Sequence, residues 1–261
     1  MKGLNQNRLF LASLITTCLS PGVTVGSGEV FILEEPVRVI TSSSPEIFPE
    51  AWRKPSVSPE GGVLPGNQIE RARAILSKAL AKYPTDLLEA ELKAVYVLSE
   101  LRYRGVVTSG TNSSTSVYLK VGRDNTRYTD SYIEGTFHAE FSSILIRNHA
   151  DLLDKEAWQQ ANPPDFTYLG DGVEAVKQGK ARRSYEESLL EQGFLTEYGS
   201  STLENDFNGM ALRLFTGEAQ VWKLADQYPR IKTKLDLALA FYLKLDPSFT
   251  EAFFRSLVKI E

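Results

Sequence analysis

Residues 130–149, DSYIEGTFHAEFSSILIRNH, decide the fold, because they set polar side chains inside a strong apolar helical pattern. At roughly 100° per residue, Ile133, Phe137, Phe141, Ile144 and Leu145 fall on one stripe. No proline or glycine interrupts it from Thr136 onward. The pattern predicts a core helix. Glu140 lies at one margin of the stripe, on the side of Ser143 and Arg147, and His138 lies beyond the other margin with Ser142 and His149. The two margins stand roughly 160° apart. A carboxylate beside a buried stripe needs a partner, a metal or a proton, since burying it ionised and alone is prohibitive. Glu140 is therefore the first candidate functional residue.

Working outward, residues 92–121 read as β: AVYVL, then LRYRGVV, a polar SGTNSSTS connection and VYLKV. They predict a small mixed or antiparallel sheet packed on the core helix. Asn112 opens a formal glycosylation sequon, which also reads as a polar turn. Residues 151–199 are irregular; Gly170-Asp171-Gly172 reads as a turn and the KARR group at 180–183 as a solvated surface. A connection of this length is commonly either disordered or functional.

In the stretch from Tyr198 to Phe215, Phe207, Ala211, Leu212, Leu214 and Phe215 form an apolar side, and Glu204 projects near the azimuth of Ala211 and Phe215. Ser201 and Glu204 also have capping-box spacing. Two more amphipathic helices follow, from about Pro229 to Leu243 and from Ser248 to Val258, the latter with a capping box of Ser248 and Glu251. On the N-terminal side, Asn67 and Glu70 resemble a third capping box, opening a helix that buries Ile75, Leu76 and Ala79 and stops at Pro84. The expected class is α+β: a small sheet on a core helix, then a mainly helical C-terminal half.

The 261 residues suit one large domain, and the formal net charge of −4 with no basic stripe excludes an electrostatic footprint for nucleic acid. Lys2 and Arg8 precede LFLASLITT, so residues 1–21 read as an export signal, too short to span a bilayer. Cys18, the sole cysteine, sits where lipidation would attach the protein to a membrane. Ordinary cleavage and a buried N-terminal segment are the alternatives. Either way, no intramolecular disulfide is possible. The expected location is exported: periplasmic, lipid-anchored or secreted. Residues 22–66 read as a strand or two and a linker, clearest at 56–66, ahead of the domain at 67–261.

AEFSS, residues 139–143, stands where a zinc peptidase helix carries HExxH, with two histidines on the metal and the glutamate activating water. FHAEFSSIL at 137–145, GFLTEYGSSTLENDF at 193–207 and KTKLDLALAFYLKLDPSF at 232–249 together resemble the gluzincin-type zinc metallopeptidases of bacterial lipoproteins, distantly similar to the anthrax lethal factor catalytic domain. The resemblance runs from about Leu92 to the C-terminus and implies a zincin-like fold. It makes Glu140 the general base, Glu204 the third zinc ligand and Tyr198 a phenol that stabilises the transition state.

The departure is at the metal. Both histidine positions fall on Ala139 and Ser143, which are not ordinary zinc ligands. His138 is the nearest substitute ligand, but it leaves the helix about 100° away from Ala139. The favoured expectation is a degenerate, non-catalytic zinc site without cofactor, binding a peptide or protein in the former cleft. An active zinc peptidase using Glu140, Glu204 and His138, and a structural envelope protein, are the alternatives.

Overall fold

The computed structural model describes residues 29–122 and 126–258. Residues 1–21, expected to be an export signal, and Cys18 among them lie outside the described residues.

Strands β1 (Glu29–Leu33) and β2 (Arg38–Ser42) form an antiparallel hairpin. Two short 3-10 turns and strand β3 (Glu60–Val63) follow, then helices α1 (Gly66–Leu80) and α2 (Thr85–Glu91). Strands β4 (Ala94–Tyr103), β5 (Val106–Val107), β6 (Gly110–Asn112) and β7 (Ser116–Lys120) complete a seven-stranded mixed sheet in the order β1-β2-β4-β7-β6, with β3 and β5 both paired to β4. The pairings β2–β4 and β4–β7 are parallel and the rest antiparallel. The sheet is thus larger than expected. The stretch read as linker supplies β3, and the connection read as a polar turn supplies β6. The short EVFIL and VRVI pieces enter the same sheet as the rest.

Strand period two explains the unbroken apolar run of β4. Val95 and Val97, with Val117 and Leu119 of β7, face the main core, whereas Leu98 and Tyr118 face a smaller cluster of Ile47, Phe48 and Leu101 on the opposite side. The central strands are therefore covered on both faces.

Helix α3 (Asp130–Asn148) fills the main core, capped by Thr129, whose side chain accepts from the Tyr132 amide. It packs against α1, β6, β7 and, most extensively, α7. Its stripe residues Phe137, Phe141, Ile144 and Leu145 are fully buried, as expected, but burial extends to Glu134, His138, Ser142 and Ser143 as well.

The remaining chain is helical: α4 (Lys155–Gln160), α5 (Gly172–Lys177), α6 (Glu187–Glu191), a 3-10 helix at Glu197–Ser201, α7 (Leu203–Thr216), α8 (Ala219–Gln227), α9 (Pro229–Leu245) and α10 (Glu251–Ser256). Mixed α/β architecture with a helical C-terminal half is what the patterns indicated. Helix α7 stops at Gly217, whose φ of +70° is in the left-handed region and whose Cβ, if present, would sit 1.9 Å from the Leu257 carbonyl oxygen. Only glycine fits there. Lys234 of α9, nearly fully buried, donates to Asp206 of α7 at 2.7 Å and to the Gly193 carbonyl at 2.8 Å. Asp206 also accepts from Trp158 and Tyr168, so one buried carboxylate joins α4, α7, α9 and the loop between α4 and α5. No helix among the described residues is long and apolar enough to cross a membrane.

Candidate functional site

Glu140, Tyr198 and Glu204, from α3, the 3-10 helix and α7, line one cavity of about 680 Å³. Ala139 and Ser143 line it too, so both positions where the resemblance would put histidines face the same space as the two carboxylates.

Its floor is built where β6 lies on α3. A Cβ at Gly110 would sit 2.6 Å from Thr136 Cγ2 and 2.8 Å from Glu140 Cγ and Oε1, so a glycine is what lets the strand approach the helix. Two residues on, Asn112 presents its amide to the same helix and donates to Glu140 Oε2 at 2.5 Å. The Asn112 carbonyl oxygen accepts in turn from Arg147. Arg147 donates to Glu204 Oε1 at 2.8 Å and to the Ser113 carbonyl at 3.0 Å. Glu140, Asn112, Arg147 and Glu204 thus form one chain of polar contacts along the cavity wall. Arg147, the cation on the same helix as Glu140, is spent on Glu204.

Burial pushes the Glu140 carboxyl up to about 7, against the Asn112 hydrogen bond and with help from the Glu204 charge; Arg183 and Arg147 offset part of the rise. Glu140 is therefore divided between its neutral and ionised forms near neutral pH. Tyr198 is pushed up to about 12, by burial first and the Glu140 charge second. Its hydroxyl is crowded by α5: a Cβ at Gly172 would come within 2.9 Å of it and 2.5 Å of Asn205 Nδ2.

The second histidine position is filled by a neutral pair, with Asn208 Nδ2 donating to Ser143 Oγ at 2.7 Å. The capping box expected of Ser201 and Glu204 is not formed. Thr202 caps α7 by accepting from the Asn205 amide, and Ser201 donates to the Tyr198 carbonyl. Glu204 is thereby released for Arg147.

His138 is the expected ligand that the structure keeps apart. It is fully buried on the far side of α3, does not line the cavity, and stacks on Phe215 with ring centroids 5.0 Å apart. Its Nδ1 hydrogen-bonds to the Tyr83 hydroxyl at 2.9 Å, and burial drives its pKa down to about 4. The one-residue offset from Ala139 turned it toward α1 and away from Glu204. His149 pairs with Glu91 at 2.8 Å, at the boundary of the core.

Two residues absent from the sequence-based set belong to the site. Asn112 was legible only as a sequon or turn. Arg183 was legible only as part of a charged run; it is exposed, as that run suggested, but it lines the cavity, whereas its neighbour Arg182 is paired with Glu186 and Glu197.

Zinc, the cofactor that the resemblance implies, does not fit the donors present. Four carboxylates line the cavity, and arginines hold three of them: Glu204 with Arg147, Asp171 with Arg104 and Glu218 with Arg213. Among the described residues no group of three or more His, Cys, Asp or Glu side chains is placed to hold a metal ion. Tested against family models, curated proteins and solved structures, the chain matches none of them.

Proposed function

We propose that this is an exported, metallopeptidase-like protein that binds a peptide or an extended protein segment in its cleft without a metal ion and without hydrolysing it. One observation carries the reading. Glu140, Ala139 and Ser143 of α3 and Glu204 of α7 line a single cavity, and these are the positions to which the resemblance assigns the general base, the two imidazoles and the third ligand. In this reading no ion activates water, and Glu140 and Glu204 serve as polar contacts to the bound chain.

A peptide suits the shape of the cleft. Strand β6 is the last in the sheet order and lines the cavity through Gly110, Thr111 and Asn112. A terminal strand offers backbone donors and acceptors on its outer side, which an extended peptide can take up as an added strand. Residues 1–21, with Lys2 and Arg8 ahead of an apolar run, support export.

The test combines metal analysis with retention of a randomised decapeptide pool on immobilised protein. Wild type should carry no stoichiometric zinc and should retain peptides, and Ala139→Trp, which obstructs the cavity beside Glu140, should not. One zinc per chain, lost in Glu204→Ala, would establish the atypical peptidase instead. No retention by wild type would leave the structural envelope protein as the reading, and equal retention by both would place binding outside the cleft.

A further inference from the structure

Seven charged side chains line the cleft, and six of them have a partner. Glu204 is paired with Arg147 at 2.8 Å, Asp171 with Arg104 at 2.7 Å and Glu218 with Arg213 at 3.7 Å. Glu140 accepts from the neutral Asn112 amide. Arg183 is the exception: among the described residues it makes neither an ion pair nor a hydrogen bond with any acceptor. It is nevertheless positioned. Its guanidinium carbon stands 5.2 Å from the Tyr198 ring centroid and 5.8 Å from that of Tyr132, within the range of a cation–π contact with both. Contacts to ring faces use the π-face of a guanidinium and leave its five in-plane N–H donors free, in the fork geometry that matches a carboxylate.

We infer that Arg183, seated between Tyr132 and Tyr198, is a carboxylate-binding subsite of the cleft, which takes the free C-terminus or an acidic side chain of the bound peptide. This rests on the peptide-binding reading above and gives it a ligand class. The alternative polarity, a cationic group bound by Glu140, is less favoured. Glu140 already has the Asn112 donor, and its burial favours the neutral form, which leaves Arg183 as the open charge in the wall.

Arg183 is exposed, so Arg183→Gln leaves the fold intact and the variant is informative. Three peptides of one alanine-serine sequence serve as probes: one blocked at both ends, one with a free C-terminal carboxylate, and one blocked with a central glutamate. Whichever of the last two supplies the natural carboxylate should bind about tenfold more tightly than the blocked neutral peptide, as a charge-assisted fork contact implies. Arg183→Gln should remove that preference and keep the affinity for the neutral peptide. Titrating succinate while following the Arg183 side-chain N–H resonance reads the subsite independently of any peptide, and a saturable shift is expected. Peptide binding without a carboxylate preference, or a preference that survives Arg183→Gln, overturns the subsite and spares the peptide reading. A succinate shift with no binding of any of the three peptides does the reverse, and silence in both measurements sinks both.

Discussion

Glu140 is the residue on which the chemistry of the cleft turns. Its raised pKa means that the folded chain holds a proton at this carboxyl where the unfolded chain has lost it. The contribution to stability is present below the ordinary glutamate value of 4.5 and is lost as pH rises through about 7. Glu140→Gln should therefore stabilise the protein near pH 8, by about 1–3 kcal/mol, with a much smaller gain near pH 5, read from urea unfolding at the two pH values. An equal effect at both would mean that the carboxyl is not under burial stress. The position of Glu140 was legible because a carboxylate at the margin of an apolar stripe always demands an explanation. Its partner was not. Arg147, one helical turn and three residues further on, was the natural candidate, yet it reaches across to Glu204, and Asn112 from a distant strand serves Glu140. A contact between separate elements leaves no trace in local spacing.

At the scale of elements, α3 shows what periodicity reports and what it omits. The stripe was visible, whereas burial on the remaining sides follows from the sheet, α1 and α7 closing round the helix. His138 and Glu134 are buried in consequence. Burial alone would raise the Glu134 carboxyl, but His138, Lys78 and Lys82 hold it well below the usual carboxylate range. Burial holds His138 at about 4, below its ordinary 6.5. Below pH 6.5 the unfolded chain takes up a proton at this histidine that the folded chain refuses until about pH 4, so stability is lost across that window as pH falls. The loss belonging to His138 is about 3 kcal/mol, and the unfolding free energy of His138→Phe should fall less steeply between pH 6.5 and 4 by that amount. Parallel curves for the variant and wild type would contradict the buried placement. Capping was the least legible feature of the helices. The S-x-x-E spacings pointed to Ser201 and Ser248, but Thr202 and Thr250 are the caps, and α1 begins after Pro65 without a side-chain cap. Runs of adjacent Ser and Thr offer several equivalent caps, and the choice falls to whichever residue holds extended backbone at the helix entry.

Across the whole molecule, the mixed class and the helical C-terminal half were readable, because long periodic segments carry their own signal. The extent of the sheet was not. Its core pairings, β2 with β4 and β4 with β7, are parallel, β2 reaches β4 across β3, α1 and α2, and β6 is three residues of polar sequence at its margin. Such strands are specified by what they pack on. This same sheet margin brings the candidate cleft together, since β6 supplies Asn112, which donates to Glu140 and accepts from the Arg147 that holds Glu204. The most direct measurement of that convergence is the titration of the Glu140 side-chain carboxyl, followed by carbon-13 NMR in wild type and in Glu204→Gln. The midpoint should lie at about 7 and should move down when the neighbouring charge is removed. A Glu140 that titrates in the ordinary carboxylate range and is indifferent to Glu204 would show that the two acids do not share a cleft.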